Sequence, residues 1–295
     1  MSKMIFQDLK GPFDLSADRK RELQRFHMET TYVHFELNGQ RTSTEKYILE
    51  LQCVPDTRSG ENESQYTCAE LALQVDNGPS GTIPAFKNWT YVFDPTLSAA
   101  DTKRPLWGIP VDKFERILDR QGNALPFDIR YAIYNNFIDF HSINDVFARP
   151  TPFDTGIQDL KEIGQKIVHP ASFIEAPLNF SADLKVGSVF RNGEVTLELK
   201  GISVVDGAPC ALVAYDAGES AITVIMPLPA DQEIVTQGGS QYKGDVYVDL
   251  ATRWVRKATL DEFLIAETRI SGSDTKINSY TVRHITLRAG TFARR

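Results

Sequence analysis

The residues with most capacity for chemistry sit near the end of one helical stretch: Asp139, His141 and Asp145. In a helix, His141 and Asp145 stand at i and i+4, so they share a face and can touch. An imidazole beside a carboxylate can work as an acid/base pair, or supply two ligands of a partial metal site. The alternative is a histidine favoured by the macrodipole at a helix C-terminus, next to a solvated carboxylate. No third ligand lies nearby in sequence, which favours the second reading. His27 and His34 lie seven residues apart across an expected helix-to-strand change, and His169 precedes Pro170 in what reads as a loop. A carboxylate group, Asp245, Asp249, Asp261 and Glu262, reads as the wet face of a sheet. A turn at Thr252-Arg253 would bring Lys257 beside Asp249 as a surface ion pair. The chain has no GxxxxGKS/T or GxGxxG phosphate loop, no GxSxG elbow and no HExxH pair. The expectation is a protein without catalytic residues and without a cofactor.

Aromatic residues crowd the middle of the chain, from Phe86 to Phe147. Either they fill a core where helices meet a sheet, or they surround an apolar cavity, the usual setting for a hydrophobic ligand. In the second case the lining is Trp89, Tyr91, Phe93, Trp107, Phe114, Phe137 and Phe140.

The elements that must position these residues follow from pattern and punctuation. Ser16 can cap a helix over residues 16–27. Thr30 to Leu37 alternates as a strand and ends at Asn38-Gly39, a strong hairpin signal because a type I′ turn needs positive φ at both central residues. Tyr47 to Val54, Tyr66 to Val75 and Trp89 to Phe93 are further strands, with a polar loop over 56–64. Residues 110–118 and 158–167 have helical spacing. Pro126 opens a longer helix to about Val146, closed by Arg149-Pro150. Its apolar positions Ile129, Ile133, Phe137, Phe140 and Ile143 form one buried face, with Arg130 and Asn136 on the other side. Pro170 to Phe180 is a connecting segment. From Leu184 to Ile270 the chain reads as a ladder of short strands punctuated by Asn192-Gly193, Asp206-Gly207, Ala217-Gly218 and Gly238-Gly239, and Tyr280 to Leu287 adds one more.

Strands followed by helices followed by strands indicate an α+β class with an antiparallel sheet. The chain divides into a first β region (28–95), a helical insert (105–168) and a second β region (180–290). These form a single domain or two closely packed halves, with a short echo between Trp89–Asp94 and Asp245–Asp249. With 295 residues the chain can bury a full core without staples. A net charge of −7 argues against nucleic acid. The basic cluster Arg283, His284, Arg288, Arg294 and Arg295 reads as a solvated tail. No run approaches a membrane-spanning helix. The N-terminus has no signal-peptide pattern, which points to the cytosol. Cys53 and Cys68 flank a turn, but alternation puts Cys53 with Tyr47, Leu49 and Leu51 and puts Cys68 with Glu70 and Gln74. Pairing them would set Leu51 against Glu70, and a register slip of one residue restores apolar against apolar, so a disulfide is not expected.

Lys185-Val-Gly187-Ser-Val-Phe190, Tyr242-Lys-Gly244-Asp-Val-Tyr-Val-Asp249 and Trp254-Val-Arg-Lys-Ala258 together resemble bacterial envelope proteins with a lipoprotein-carrier half-barrel (LolA/LppX-like). The resemblance covers about residues 184–270. It implies a curved antiparallel sheet with helices on its concave side, an envelope location and an apolar or lipid-like ligand. The functional expectation is a non-catalytic binding protein for a hydrophobic small molecule. The alternative is an accessory subunit that docks onto a protein partner through its sheet edge or helical face. Either way, the ladder supplies the scaffold and the site is expected where the aromatic insert meets it.

Overall fold

The computed structural model describes residues 11–15, 19–55, 64–94, 106–119, 121–146, 155–169, 174–175, 184–274 and 276–290. Its strands are β1 Gln24–Glu36, β2 Arg41–Pro55, β3 Ser64–Val75, β4 Gly81–Thr82, β5 Trp89–Phe93, β6 Lys166–His169, β7 Ile174–Glu175, β8 Val189–Arg191, β9 Val195–Val205, β10 Ala208–Ala217, β11 Ser220–Pro227, β12 Glu233–Asp249, β13 Val255–Ile270 and β14 Lys276–Ala289. Its α-helices are α1 Asp112–Glu115 and α2 Phe127–His141. All fourteen strands belong to one antiparallel sheet, ordered β4-β3-β2-β1-β14-β13-β12-β10-β9-β6 along its main path. The two ends of that path do not pair, so the sheet is open. Chain ends meet in the middle: β1 pairs β14 from Phe26–Ala289 to Glu36–Ser279, which joins the two β regions.

Turn chemistry decides where strands stop. Gly39 has φ +85° but Asn38 does not have positive φ, so the turn between β1 and β2 is not the expected type I′; Asn38 Oδ1 accepts from the Gln40 amide at 2.7 Å and closes it. Asp206 and Gly207 both have positive φ (49° and 80°), as a two-residue hairpin requires. Gly238-Gly239 behaves differently from expectation. Both glycines lie inside β12, which pairs β13 on one side and β11 on the other without a break. A Cβ at Gly238 would stand 2.4 Å from the Ile265 carbonyl oxygen, so glycine here serves close strand approach rather than a turn.

Several helical expectations give way to pairing. Gln24–His27 are strand, because Phe26 and Met28 bury themselves by alternation on β1 while β1 bonds on both sides. The rest of the expected 16–27 helix is non-helical at residues 19–23, and 16–18 lie outside the described residues. The segment at 110–118 keeps only α1, and Leu118 bridges Ala124 instead. The one at 158–167 keeps a single 3-10 turn, Ile157–Asp159, since Lys166–His169 pair β9. The 56–63 loop, Arg149-Pro150 and most of 170–180 lie outside the described residues.

The core lies on one face of the sheet and under α2. Phe140 wedges between Phe26 and Tyr66 at ring distances of 5.2 and 5.6 Å. Leu49, Leu51, Leu197, Val213, Val246, Leu260 and Leu287 close the same layer. Ile133, Phe137, Phe140 and Ile143 are fully buried as the spacing predicts. Tyr134, Asn136, Asp139 and His141 are buried too, so the second half of α2 is enclosed nearly all round. Asn136 meets this enclosure by donating to the Ala132 carbonyl at 2.7 Å. A bulge between Glu50 and Leu51 corrects the parity expected for the cysteines. It turns Cys68 inward beside Tyr66, sets Cys68 opposite Leu51, and sets Cys53 opposite Tyr66.

Candidate functional site

His141 and Asp145 do meet, and neither is solvated. Helix α2 ends at His141, and a wider turn over Ser142–Val146 carries Asp145 back to it. His141 Nδ1 lies 2.8 Å from Asp145 Oδ2, and His141 Nε2 lies 2.7 Å from the Tyr91 hydroxyl. Burial holds the imidazole below its ordinary pKa, with Asp145 pulling the other way. A neutral ring fits both partners: Nδ1–H donates to Asp145, and Nε2 accepts from Tyr91. Asp145 also accepts from Arg19 Nη1 at 2.7 Å and from the Tyr66 hydroxyl at 3.0 and 3.1 Å. Arg19 is held in turn. Its guanidinium lies 4.4 Å over the Trp254 ring, and Trp254 Nε1–H donates to the Lys20 carbonyl at 2.8 Å.

This cluster has catalytic residue types in a closed, buried environment. Cys53 stands close enough to feel Asp145 and Tyr66, but burial pushes its thiol up to about 12, the opposite of an activated nucleophile. Both imidazole nitrogens are occupied by protein groups. Phe93 stacks on His141 at 4.3 Å and the side chains of His141 and Asp145 have no exposed surface. Among the described residues, no three His, Cys, Asp or Glu side chains are grouped to hold a metal ion. The arrangement anchors the N-terminal segment, α2 and β3–β5 to one another.

Asp139 takes part in a second buried group. Arg283 on β14 pairs with Asp139 on α2 and, at 2.7 Å, with Glu262 on β13, while its guanidinium lies 5.8 Å from the Tyr32 ring on β1. Burial pushes the Asp139 carboxyl up to about 7; Arg283 opposes this and Glu262 adds to it. The expectation of a solvated basic tail fails at Arg283, because alternation on β14 points it to the core side with Ile285 and Leu287. Arg294 and Arg295 lie outside the described residues.

The expected lining rings are brought together, packed ring on ring. Trp89 stacks on Tyr91 at 4.7 Å, Phe137 meets Trp89 at 5.4 Å and Phe114 at 5.4 Å, and Trp107 meets Phe93 at 6.0 Å. Phe93, Phe114, Phe137 and Phe140 have no exposed surface. Phe86 fills the space between Phe114 and Phe137.

Other sequence candidates separate. His27 and His34 share β1 at odd spacing and so face opposite sides: His27 meets Glu29 at 3.2 Å, and His34 meets the Thr281 hydroxyl at 3.0 Å. His169 belongs to strand β6, not a loop. Asp249 pairs with Arg256 at 2.7 Å rather than with Lys257, because a bulge at Tyr247/Val248 shifts the register. It also accepts from the Ala251 and Thr252 amides, which fixes the β12–β13 turn. Glu262 is not on the wet face; it is largely covered and pairs with Arg283 at 2.7 Å.

A concave surface occurs where the sequence reading placed only scaffold. Leu260 and Phe263 are three residues apart on β13 and therefore point to opposite faces; Leu260 is 3% exposed and Phe263 46%. On that outward face a groove of about 720 Å³ runs over β12 and β13, lined by Phe263, Ile265, Gly239, Gln237, Gln241 and Glu219 among others. Ile265 is 51% exposed and Leu37, at the rim, 61%. The ring row continues behind it: Phe263 meets Tyr280 at 5.5 Å, and Tyr280 stacks on Phe35 at 4.7 Å. The sequence did hold a signal. Phe263 and Ile265 share parity with Asp261 and Glu267, which places apolar residues on the polar face of a ladder.

No protein-family model matches the chain, and no curated protein matches it. Solved structures with some likeness include OmpT, an outer membrane protein of Vibrio cholerae, at 9% identity over 90% of this chain and 99% of that chain, with a TM-score of 0.18. A mutant of the Rh. blastica porin is 8% identical over 91% and 100%, with a TM-score of 0.20. A DUF1329 family protein from Desulfovibrio piger is 9% identical over 92% and 88%, with a TM-score of 0.16. Scores this low assign neither fold nor function. No helix among the described residues is long and apolar enough to cross a membrane.

Proposed function

We propose that this chain is a non-catalytic binding protein whose ligand lies in the outward groove on β12 and β13. The observation that carries the reading is the pair Phe263 and Ile265, about half exposed on the sheet face turned away from the core. Solvated strand faces are normally polar, and a ridge of large apolar side chains inside a groove marks a contact surface. The aromatic insert has a different part. Its packed rings, with the His141–Asp145 network, fix α2 against β1, β3 and β5 on the inner face. An open sheet with α2 on its inner face also fits the half-barrel arrangement expected from the carrier resemblance, with the ligand moved to the other face.

The test is binding of Nile red, a neutral dye that reports apolar surface. Native protein should enhance its fluorescence saturably. Phe263→Asp with Ile265→Asp should weaken the affinity at least about fivefold, since much of the apolar contact is lost. Unchanged affinity in the double variant, with its fold intact by circular dichroism, overturns the proposal.

A further inference from the structure

We infer that the ligand of this groove is a neutral saccharide. The inference rests on the groove being the binding site and is drawn from the chemistry of its lining.

The register gives the groove its shape. Ile265, Gly239 and Ala221 stand opposite one another across β13, β12 and β11. The glycine and alanine leave a low floor, and Ile265 and Phe263 rise beside it as one bank. Gln237 and Gln241 flank Gly239 by two residues on either side, so both point to the same face as the floor. Four residues of strand set their stems about 13 Å apart. Glu219 reaches over the floor from the opposite side: its Oε1 lies 3.8 Å from where a Gly239 Cβ would stand. The site therefore offers an apolar bank, two amides that both donate and accept, and a carboxylate acceptor, all along one short path.

Each feature excludes a class of ligand. An acyl chain would bury the amides and the carboxylate without offering them a partner, and an unmade hydrogen bond is costly. Anionic ligands, nucleotides among them, meet Glu219 directly, with Asp216 nearby: Gln241 Nε2 donates to Asp216 Oδ1 at 3.4 Å. Among the described residues, each cation on this face stands beside an acceptor: Arg269 and Lys276 pair with Glu267, Lys243 stands across from Asp216 and Asp261, and Arg191, across from Ala221, donates to the Glu219 carbonyl at 3.3 Å. An extended peptide has little backbone to join, because over Glu233–Ser240 β12 is bonded to β13 on one side and β11 on the other. What remains must present an apolar face and a hydrogen-bonding edge together, without negative charge. A pyranose does so: its ring C–H groups lie flat on an aromatic ring, and its equatorial hydroxyls both donate and accept. Phe263 supplies the ring, and the glutamines with Glu219 supply the partners.

The experiment is calorimetric titration of the full chain with cellohexaose and with maltohexaose, each repeated on Phe263→Ala and Gln237→Ala, with Nile red binding measured in parallel. Both positions are solvent-exposed, so neither substitution disturbs the core, and circular dichroism checks this. At least one hexasaccharide should bind. Phe263→Ala should weaken it at least about tenfold and Gln237→Ala at least about threefold. Affinity should be unchanged between low and high salt, since the ligand carries no charge. Nile red binding that depends on Phe263, with neither saccharide bound, sinks the saccharide class and leaves the groove standing. Saccharide binding indifferent to Phe263→Ala, or no Phe263-dependent binding of any probe, overturns both.

Discussion

Asp145→Asn should be among the most damaging single-atom changes this protein can suffer. Asp145 has no exposed side-chain surface, and it accepts from Arg19 at 2.7 Å, His141 at 2.8 Å and Tyr66 at 3.0 Å. Arg19 is only 6% exposed at its side chain, so removing the carboxylate charge leaves a guanidinium buried without its counter-ion. Breaking a buried pair from one side costs about 3–5 kcal/mol. Domains of this kind are stable by about 5–15 kcal/mol in total, so the variant should lose a large part of its margin. Urea unfolding followed by tryptophan fluorescence measures this directly, with the slope unchanged and the midpoint moved down. The diagnostic is the double variant Arg19→Met with Asp145→Asn. With the orphaned charge gone, the pair of changes should cost less than the sum of the two alone, and the coupling should exceed about 1 kcal/mol. A coupling below about 0.5 kcal/mol would refute the buried ion pair.

The other expectations concern pH and packing. Burial raises Asp139 to about 7 in the folded chain, whereas an unfolded aspartate titrates near 4, so between those values the folded state holds the extra proton. This group's contribution to stability is therefore full at acid pH and declines as pH rises from about 4 to 7, by on the order of a few kcal/mol. Asp139→Asn should flatten that slope when urea midpoints are compared across the window; an identical slope counts against the assignment. His141 should keep a neutral ring protonated on Nδ1 through the range where histidines normally titrate, visible in its ring nitrogen shifts, and an ordinary titration near 6.5 contradicts it. Gly244→Ala should lose at least about 2 kcal/mol, because the new Cβ would stand 1.9 Å from the Thr259 carbonyl and 2.5 Å from the Tyr215 hydroxyl. A neutral result would show that β12 and β13 can part there at no cost.

Parts of the fold are legible in the sequence wherever the chain's own local chemistry decides the conformation. The Asp206-Gly207 turn, the place of the Asn38-Gly39 turn though not its type, strand β5, and the buried positions Ile133, Phe137, Phe140 and Ile143 of α2 depend on residue type and spacing within a short window. The i, i+4 contact of His141 with Asp145 belongs to the same group. Elsewhere a partner strand overrides propensity. Gln24–His27 carry charged, helix-compatible neighbours yet join β1, and Gly238-Gly239 resemble a turn yet sit in the middle of β12. Bulges at Glu50/Leu51 and Tyr247/Val248 each reverse the parity on which alternation arguments depend, and nothing in the sequence marks them.

The sequence by itself determined that this is a β-rich chain with antiparallel hairpins, one substantial amphipathic helix and an aromatic middle. Those follow from periodicity and turn chemistry, which are local. Only the tertiary structure decided what the conspicuous residues are for. It buried His141, Asp145, Asp139 and Arg283 in closed ion-pair networks, because residues from four distant parts of the chain, the N-terminal segment, β3, β5 and the end of α2, converge on Asp145 and His141. It also left Phe263 and Ile265 in water, because the register of β13 turns them away from the core that Leu260 enters. Burial is a property of the assembled sheet: it closes the catalytic-looking cluster off from solvent and leaves large apolar side chains half exposed on a plain strand.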